Sequence, residues 1–209
     1  MEMIKAQYAL TERQYQQIEA YLKILIKWNA VYRLVGNADP DYLWRFHVAD
    51  SLAVNTLIGD FSKLADLGTG AGLPGIIIKI MHPDREVVLV DSLTKRCNFC
   101  REVKRELGLK KLTIVDGRAD SEEIVHRTGP CDVVISRAVW QLREFGAIGS
   151  KFLQAGGRLL AMKGDRHPEE IADFAITQKY TRLIGPEIFP YGVSFENRTH
   201  YLVEYILNK

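Results

Sequence analysis

The chain has 209 residues, 47% of them apolar and 26% charged, with a net charge of +2. That mixture is enough for a buried core and excludes a disordered chain, and no run approaches the roughly 18 apolar residues of a membrane span. Met1 to Leu10 lacks the apolar segment of a signal peptide, so a cytoplasmic protein is expected.

In chain order, Thr11 and Gln14 form a capping-box pattern, and Tyr15, Ile18, Leu22 and Leu25 recur at helical spacing, so a helix is predicted over 11–29. A second opens with Asp39 as N-cap and Pro40 in its first position, and runs toward Leu57. It carries His47, Asp50 and Ser51 on one face, either as a packing set or facing a ligand. Trp28, Tyr32 and Trp44 suit core packing, with base stacking as the alternative.

From residue 63 the pattern changes to strands alternating with helices. KLADL, EVVLVD, LTIVDG, CDVVIS and RLLAMKG read as strands. Helices are expected from Ile76 to Ile80, Thr94 to Leu107, about Gln141 to Phe152, and Pro168 to Lys179. An antiparallel pair closes the chain, around Tyr180 to Pro190 and Thr199 to Leu207. This is an α/β protein with a mostly parallel seven-stranded sheet, an antiparallel C-terminal strand and helices on both faces. Residues 1–60 are read as a helical extension and 61–209 as the ligand-binding domain.

The loop after KLADL is DLGTGAGLPG, with Gly70, Gly72 and Gly75 in a G-x-G-x-x-G pattern. In an open α/β sheet, ligands bind beyond the C-terminal strand ends, and bare backbone there lets a cofactor approach. Asp91 ends the next strand, where an acid accepts the two hydroxyls of a ribose. These features fit NAD or S-adenosylmethionine. Asp66 and Gly68 ahead of the fingerprint favour S-adenosylmethionine, because an acid there suits an amino group and opposes a pyrophosphate. Asp120 falls near the expected adenine.

Cys97 and Cys100 fall mid-helix with no second ligand pair, so they are read as core residues, and no metal site is expected. Lys95, Arg118, Arg137 and Lys163 follow the ends of four predicted strands and would converge on one basic rim.

KWNAVYRLV, FHVADS, DLGTGAGLPG, VDSLTKR, ISRA and MKG occur in the order and spacing of a known family. The chain resembles the bacterial small-subunit ribosomal RNA guanine-N7 methyltransferases, the glucose-inhibited division protein B family. That resemblance implies a Rossmann-like class I methyltransferase fold and methyl transfer from S-adenosylmethionine, with S-adenosylhomocysteine as product. The methyl acceptor it implies is N7 of a guanine in 16S ribosomal RNA or the small ribosomal subunit. By position it implies Gly68, Leu73, Ala119, Asp120 and Arg137 at the cofactor, beside Asp66, Gly70, Gly72 and Asp91 already read from the loop and the strand end. Arg118, Arg137 and Lys163 would stand at the reacting centre, and Lys95, Arg96, Arg118, Lys163 and Arg198 at the RNA. No metal is implied, and a monomer is the expected state. The chain departs from the family pattern at Arg33 and Val35, and around Arg198 to Leu202. A small-molecule methyltransferase on the same fold is the alternative, since it needs the glycines and Asp91 but no basic rim.

Overall fold

The computed structural model describes residues 1–192 and 199–208, the side chain of Tyr180 excepted. Strands β1 (Lys63–Leu67), β2 (Glu86–Asp91), β3 (Leu112–Asp116), β4 (Cys131–Arg137), β5 (Leu153–Lys163), β6 (Leu183–Gly192) and β7 (Thr199–Leu207) form one sheet. Its order is β3-β2-β1-β4-β5-β7-β6. The first five are parallel, and β7 inserts antiparallel between β5 and β6.

The central strands are apolar on both faces because both are covered. In β2, Val87 and Leu89 pack into one core while Val88 and Val90 pack into the other. The first core also holds Ile18, Leu22 and Leu25 of α2 (Glu12–Tyr32), so the N-terminal helices pack directly on the sheet face. The capping box forms as expected: Thr11 N–H donates to Gln14 Oε1 (2.9 Å), and Gln14 N–H to Thr11 Oγ1 (3.3 Å). Trp44 is buried, stacks on Tyr15 at 5.3 Å and donates to Glu19, which makes it a core residue.

Several elements differ from expectation. A short α1 (Glu2–Gln7) precedes α2, and α7 (Glu122–Thr128) fills the stretch left unassigned after β3. The second predicted helix is three pieces: α3 (Pro40–Tyr42), a π-helical turn (Leu43–Val48) and α4 (Ala49–Asn55). A π turn adds one residue and so rotates the face that follows it, which residue spacing alone does not reveal; such turns gather at functional sites. The other helices are α5 (Gly75–Met81), α6 (Thr94–Glu106), α8 (Leu142–Gly149) and α9 (His167–Thr177). Among the described residues, no helix is long and apolar enough to cross a membrane.

Candidate active site

The C-terminal ends of β1, β2, β4 and β5 deliver Leu67, Asp91, Arg137 and Lys163 to one edge of the molecule. Two clefts open there, separated by the tongue Ala138–Gln141 that follows β4.

The first cleft lies on the glycine loop. Gly68 has φ +68°, and a Cβ there would come within 2.7 Å of Val139, so only glycine lets the tongue close over the loop. Gly75 starts α5 where a Cβ would lie 2.3 Å from Leu89 and 2.7 Å from Asp66. Asp66 Oδ2 accepts from Thr69 Oγ (2.7 Å) and from Gly75 N–H (2.9 Å). Its second oxygen is buried without a partner. Burial pushes this carboxyl up to about 7, despite the Thr69 and Gly75 hydrogen bonds that oppose the rise. Asp66 therefore sits beneath the loop and shapes it; no part of its side chain faces the cleft. Leu73 belongs to the core below the loop and does not line the cleft.

Asp91 lines the cleft and holds the loop in shape. Its Oδ2 accepts from Gly70 N–H (2.9 Å) and more distantly from Arg96 (3.4 Å), and its Oδ1 accepts from Leu93 N–H (2.9 Å). One Oδ1 lone pair remains for a ligand hydroxyl. Ala119 and Asp120 form the far wall, beside Arg118, whose guanidinium makes a two-pronged bridge to Asp120 at 3.1 and 2.7 Å. That pairing holds the Asp120 carboxyl below its ordinary range.

Neighbouring elements lock the floor. Tyr21 of α2 donates its buried hydroxyl to the Ala71 carbonyl at 2.8 Å. Cys97 and Cys100 of α6 pack against Asp91 O and Gly70 O, and burial pushes the Cys97 thiol up to about 11 and the Cys100 thiol well above its ordinary value. They are buried core thiols. Among the described residues there is no side-chain cluster suited to a metal ion.

The second cleft is built from side chains distant in sequence. Asp50 Oδ2 accepts from Arg137 at 3.2 Å, and Oδ1 accepts from Tyr191 Oη (3.0 Å) and His200 Nδ1 (3.1 Å). Tyr191 and His200 face each other across the β6–β7 ladder, which is why both reach one carboxylate. Burial alone would raise the Asp50 carboxyl, but the His200 bond and the Arg137 charge outweigh it and hold it below the usual range. Burial, aided by Arg137, lowers His47 to about 4, so its imidazole is neutral at pH 7. Tyr42, Phe46 and Met162 supply the apolar wall.

The expected single rim of four cations does not form. Arg118 and Arg96 belong to the first cleft, Arg137 and Lys163 to the second, and Lys95 stands exposed on α6 outside both. Arg137 is 20% exposed and paired to Asp50, and Lys163 is 8% exposed and paired to Glu170. A strand end can be placed from sequence, but which acid a long cation folds back upon cannot. Arg198 lies outside the described residues. Sequence reasoning missed Tyr191, His200, Glu170, Val139 and Tyr21, whose partners are far away in the chain or are backbone atoms without a motif.

A parallel sheet with one antiparallel insertion, a glycine loop after β1 and an acid at the end of β2 defines the class: a Rossmann-like class I methyltransferase fold. Solved structures agree on that fold. Fibrillarin of Aeropyrum pernix with natively bound S-adenosyl-L-methionine superposes with a TM-score of 0.58 at 18% identity, covering 76% of each chain. An rRNA methylase from Streptococcus thermophilus gives 0.53 at 15% identity, covering 82% of this chain and 98% of that one.

The chain belongs to the family described as GidB, rRNA small subunit methyltransferase G, whose model matches residues 14–184. The ribosomal RNA small subunit methyltransferase G of Mycolicibacterium smegmatis is 40% identical over 155 residues, 74% of this chain and 66% of that protein's length. Its namesake from Desulfitobacterium hafniense is 37% identical over 201 residues, covering 93% of this chain and 82% of the relative.

Proposed function

We propose that the protein transfers a methyl group from S-adenosylmethionine to N7 of a guanine in 16S ribosomal RNA. It would act on the free RNA or the small subunit, as a cytoplasmic monomer. In this reading residues 1–60 are a helical extension and 61–209 the cofactor-binding domain. The observation that carries it is the family match over residues 14–184, which spans the glycine loop, Asp91 and the whole lining of the first cleft.

The residues present fit the cofactor. Gly68 lines the cleft floor under Val139, Asp91 keeps an acceptor at the cleft, and Ala119 and Asp120 close the far wall. When bound, S-adenosylmethionine supplies a methyl group made electrophilic by its sulfonium. Guanine N7 carries an in-plane lone pair and no proton, so no general base is needed to create the nucleophile. The chain's task is alignment, which alone can lower a barrier by roughly 7–11 kcal/mol. The tongue divides the clefts, so a base in the second would meet the cofactor past Ala138 and Val139. Arg137, held in place by Asp50, offers donors toward a guanine edge, and neutral His47 adds a polar contact without repelling the sulfonium. The target guanine must be splayed from its stack, since duplex RNA hides N7 in a deep groove.

Purified protein should transfer labelled methyl to 16S RNA, or to small subunits, from a strain lacking the native enzyme. Label appearing only on small molecules would reject the RNA assignment. One observation favours a second reading, a small-molecule methyltransferase: three of the four expected cations are paired to acids of the chain itself.

A further inference from the structure

The tongue Ala138–Gln141 forms a wall of both clefts, and its hold on the glycine loop has an identifiable anchor. Ala138 adopts φ +54°, which turns Val139 onto Gly68. Trp140 stacks in parallel over Phe145 of α8. The Trp140 carbonyl accepts from Lys163 Nζ at 2.7 Å. The same ammonium donates to Glu170 Oε2 at 2.6 Å, and that oxygen also accepts from Leu142 N–H (2.8 Å), the first residue of α8. One half-buried ion pair thus joins the end of β5, the start of α9, the start of α8 and the tongue.

We infer that Lys163 and Glu170 form a tether that holds the tongue down on Gly68, and that both are positioning residues for the cofactor cleft. Lys163 is then not a phosphate contact. Its side chain is 8% exposed and that of Glu170 19%, so the pair is screened weakly. Two of the three ammonium hydrogens are committed inside the protein. Releasing the tether frees the segment that carries Val139, and the floor at Gly68 loses its roof. This rests on the reading that the Gly68 cleft takes S-adenosylmethionine.

The test compares the full-length protein with Lys163→Met, Lys163→Arg, Glu170→Gln and the Met/Gln double variant. Calorimetric titration with S-adenosylhomocysteine reads the cleft, and filter retention of 16S RNA reads the RNA surface. Lys163→Met and Glu170→Gln should each weaken S-adenosylhomocysteine binding about tenfold, the scale of one charge-assisted hydrogen bond. The double variant should be no weaker than either single one, because both break the same tether. The KM for S-adenosylmethionine should rise with it, while RNA affinity should fall by less than S-adenosylhomocysteine affinity does, because the pair acts on the tongue and not on phosphate. Lys163→Arg keeps the charge but overfills the niche, and should weaken the ligand in the same way. Glu170→Gln and Lys163→Arg are the mild variants that decide the matter if Lys163→Met fails to fold.

Unchanged S-adenosylhomocysteine binding, with RNA affinity lost in Lys163→Met and restored by Lys163→Arg, would overturn the tether. Failure of the unaltered protein to bind S-adenosylhomocysteine would instead remove the methyltransferase reading and this inference with it.

Discussion

The two clefts are made by opposite means. The first is floored by backbone and shaped mainly by short-range bonds, Asp66 to Thr69 and Gly75 and Asp91 to Leu93, with longer steps from Asp91 to Gly70 and from Tyr21 to Ala71. The second has hardly any local bonding. Its centre is one carboxylate, Asp50, that collects Arg137, Tyr191 and His200 from 87, 141 and 150 residues away. A floor of local bonds forms wherever β1 and β2 form, and it suits a ligand shared by a large fold class. A pocket of distant side chains exists only when the whole sheet and the π turn are in place, and it is where specificity for an acceptor can differ between relatives. Damage to the first cleft should therefore abolish cofactor binding with modest loss of stability, and damage to the second should reverse that balance.

The largest expected effect is in the first cleft. Asp91→Ala removes the acceptor for Gly70 and Leu93 together with the ligand-facing lone pair. S-adenosylhomocysteine binding should fall by about a hundredfold, the cost of two charge-assisted bonds, as read by calorimetry. A fall of less than about threefold, within what a neutral contact can give, would break the contrast from this side.

In the second cleft, Asp50→Ala strands the Arg137 charge and the donors of Tyr191 and His200. Because Asp50 is buried and Arg137 is 20% exposed, the destabilisation should be about 2–4 kcal/mol, at or below the range for a broken buried pair. Denaturant titration measures it, and S-adenosylhomocysteine affinity in the still-folded fraction should stay within about threefold of the parent, as for sites that do not touch.

Tyr21→Phe lies between these two in kind: it keeps the ring in the core and removes only the donor to Ala71 O. It should cost about 1 kcal/mol of stability. A slight weakening of the cofactor analogue should accompany it, since Ala71 belongs to the loop.

The contrast also explains what could be read in advance. The glycine loop, the acid ending β2 and the strand order follow from patterns a few residues long, so they are visible in the chain itself. Asp50, His47 and Ser51 show as one helix face, but the π turn over Leu43–Val48 redirects that face without altering its spacing. Arg137 and Lys163 are visible as cations at strand ends, whereas their acids, Asp50 and Glu170, are chosen by packing. Leu73 stands inside the motif and points the wrong way for a ligand, which depends on how α5 meets the sheet. Tyr191 and His200 carry no motif; only the β6–β7 register pairs them.

The smallest net effect tests the contrast most finely, because each region holds one group whose shift falls across the range from pH 4 to 7, and the two oppose each other. His47 in the second cleft is lowered from 6.5 to about 4. Between those values the unfolded chain binds the proton and the folded chain does not, so this group's contribution is full above pH 6.5 and is lost as pH falls toward 4. Asp66 beneath the first cleft is raised from 3.8 to about 7. There the folded chain holds the proton, so its contribution is full below pH 3.8 and is lost as pH rises toward 7. Across its window the His47 contribution amounts to about 3 kcal/mol and that of Asp66 to about 4 kcal/mol, with opposite sign. The unaltered protein should therefore show a nearly flat melting temperature from pH 4.5 to 6.5, a window set by the two shifted groups. His47→Gln should expose the Asp66 slope, with stability falling as pH rises. Asp66→Asn should expose the His47 slope, with stability rising. If both variants keep the flat profile, neither group is buried as described, and the two clefts are electrostatically alike.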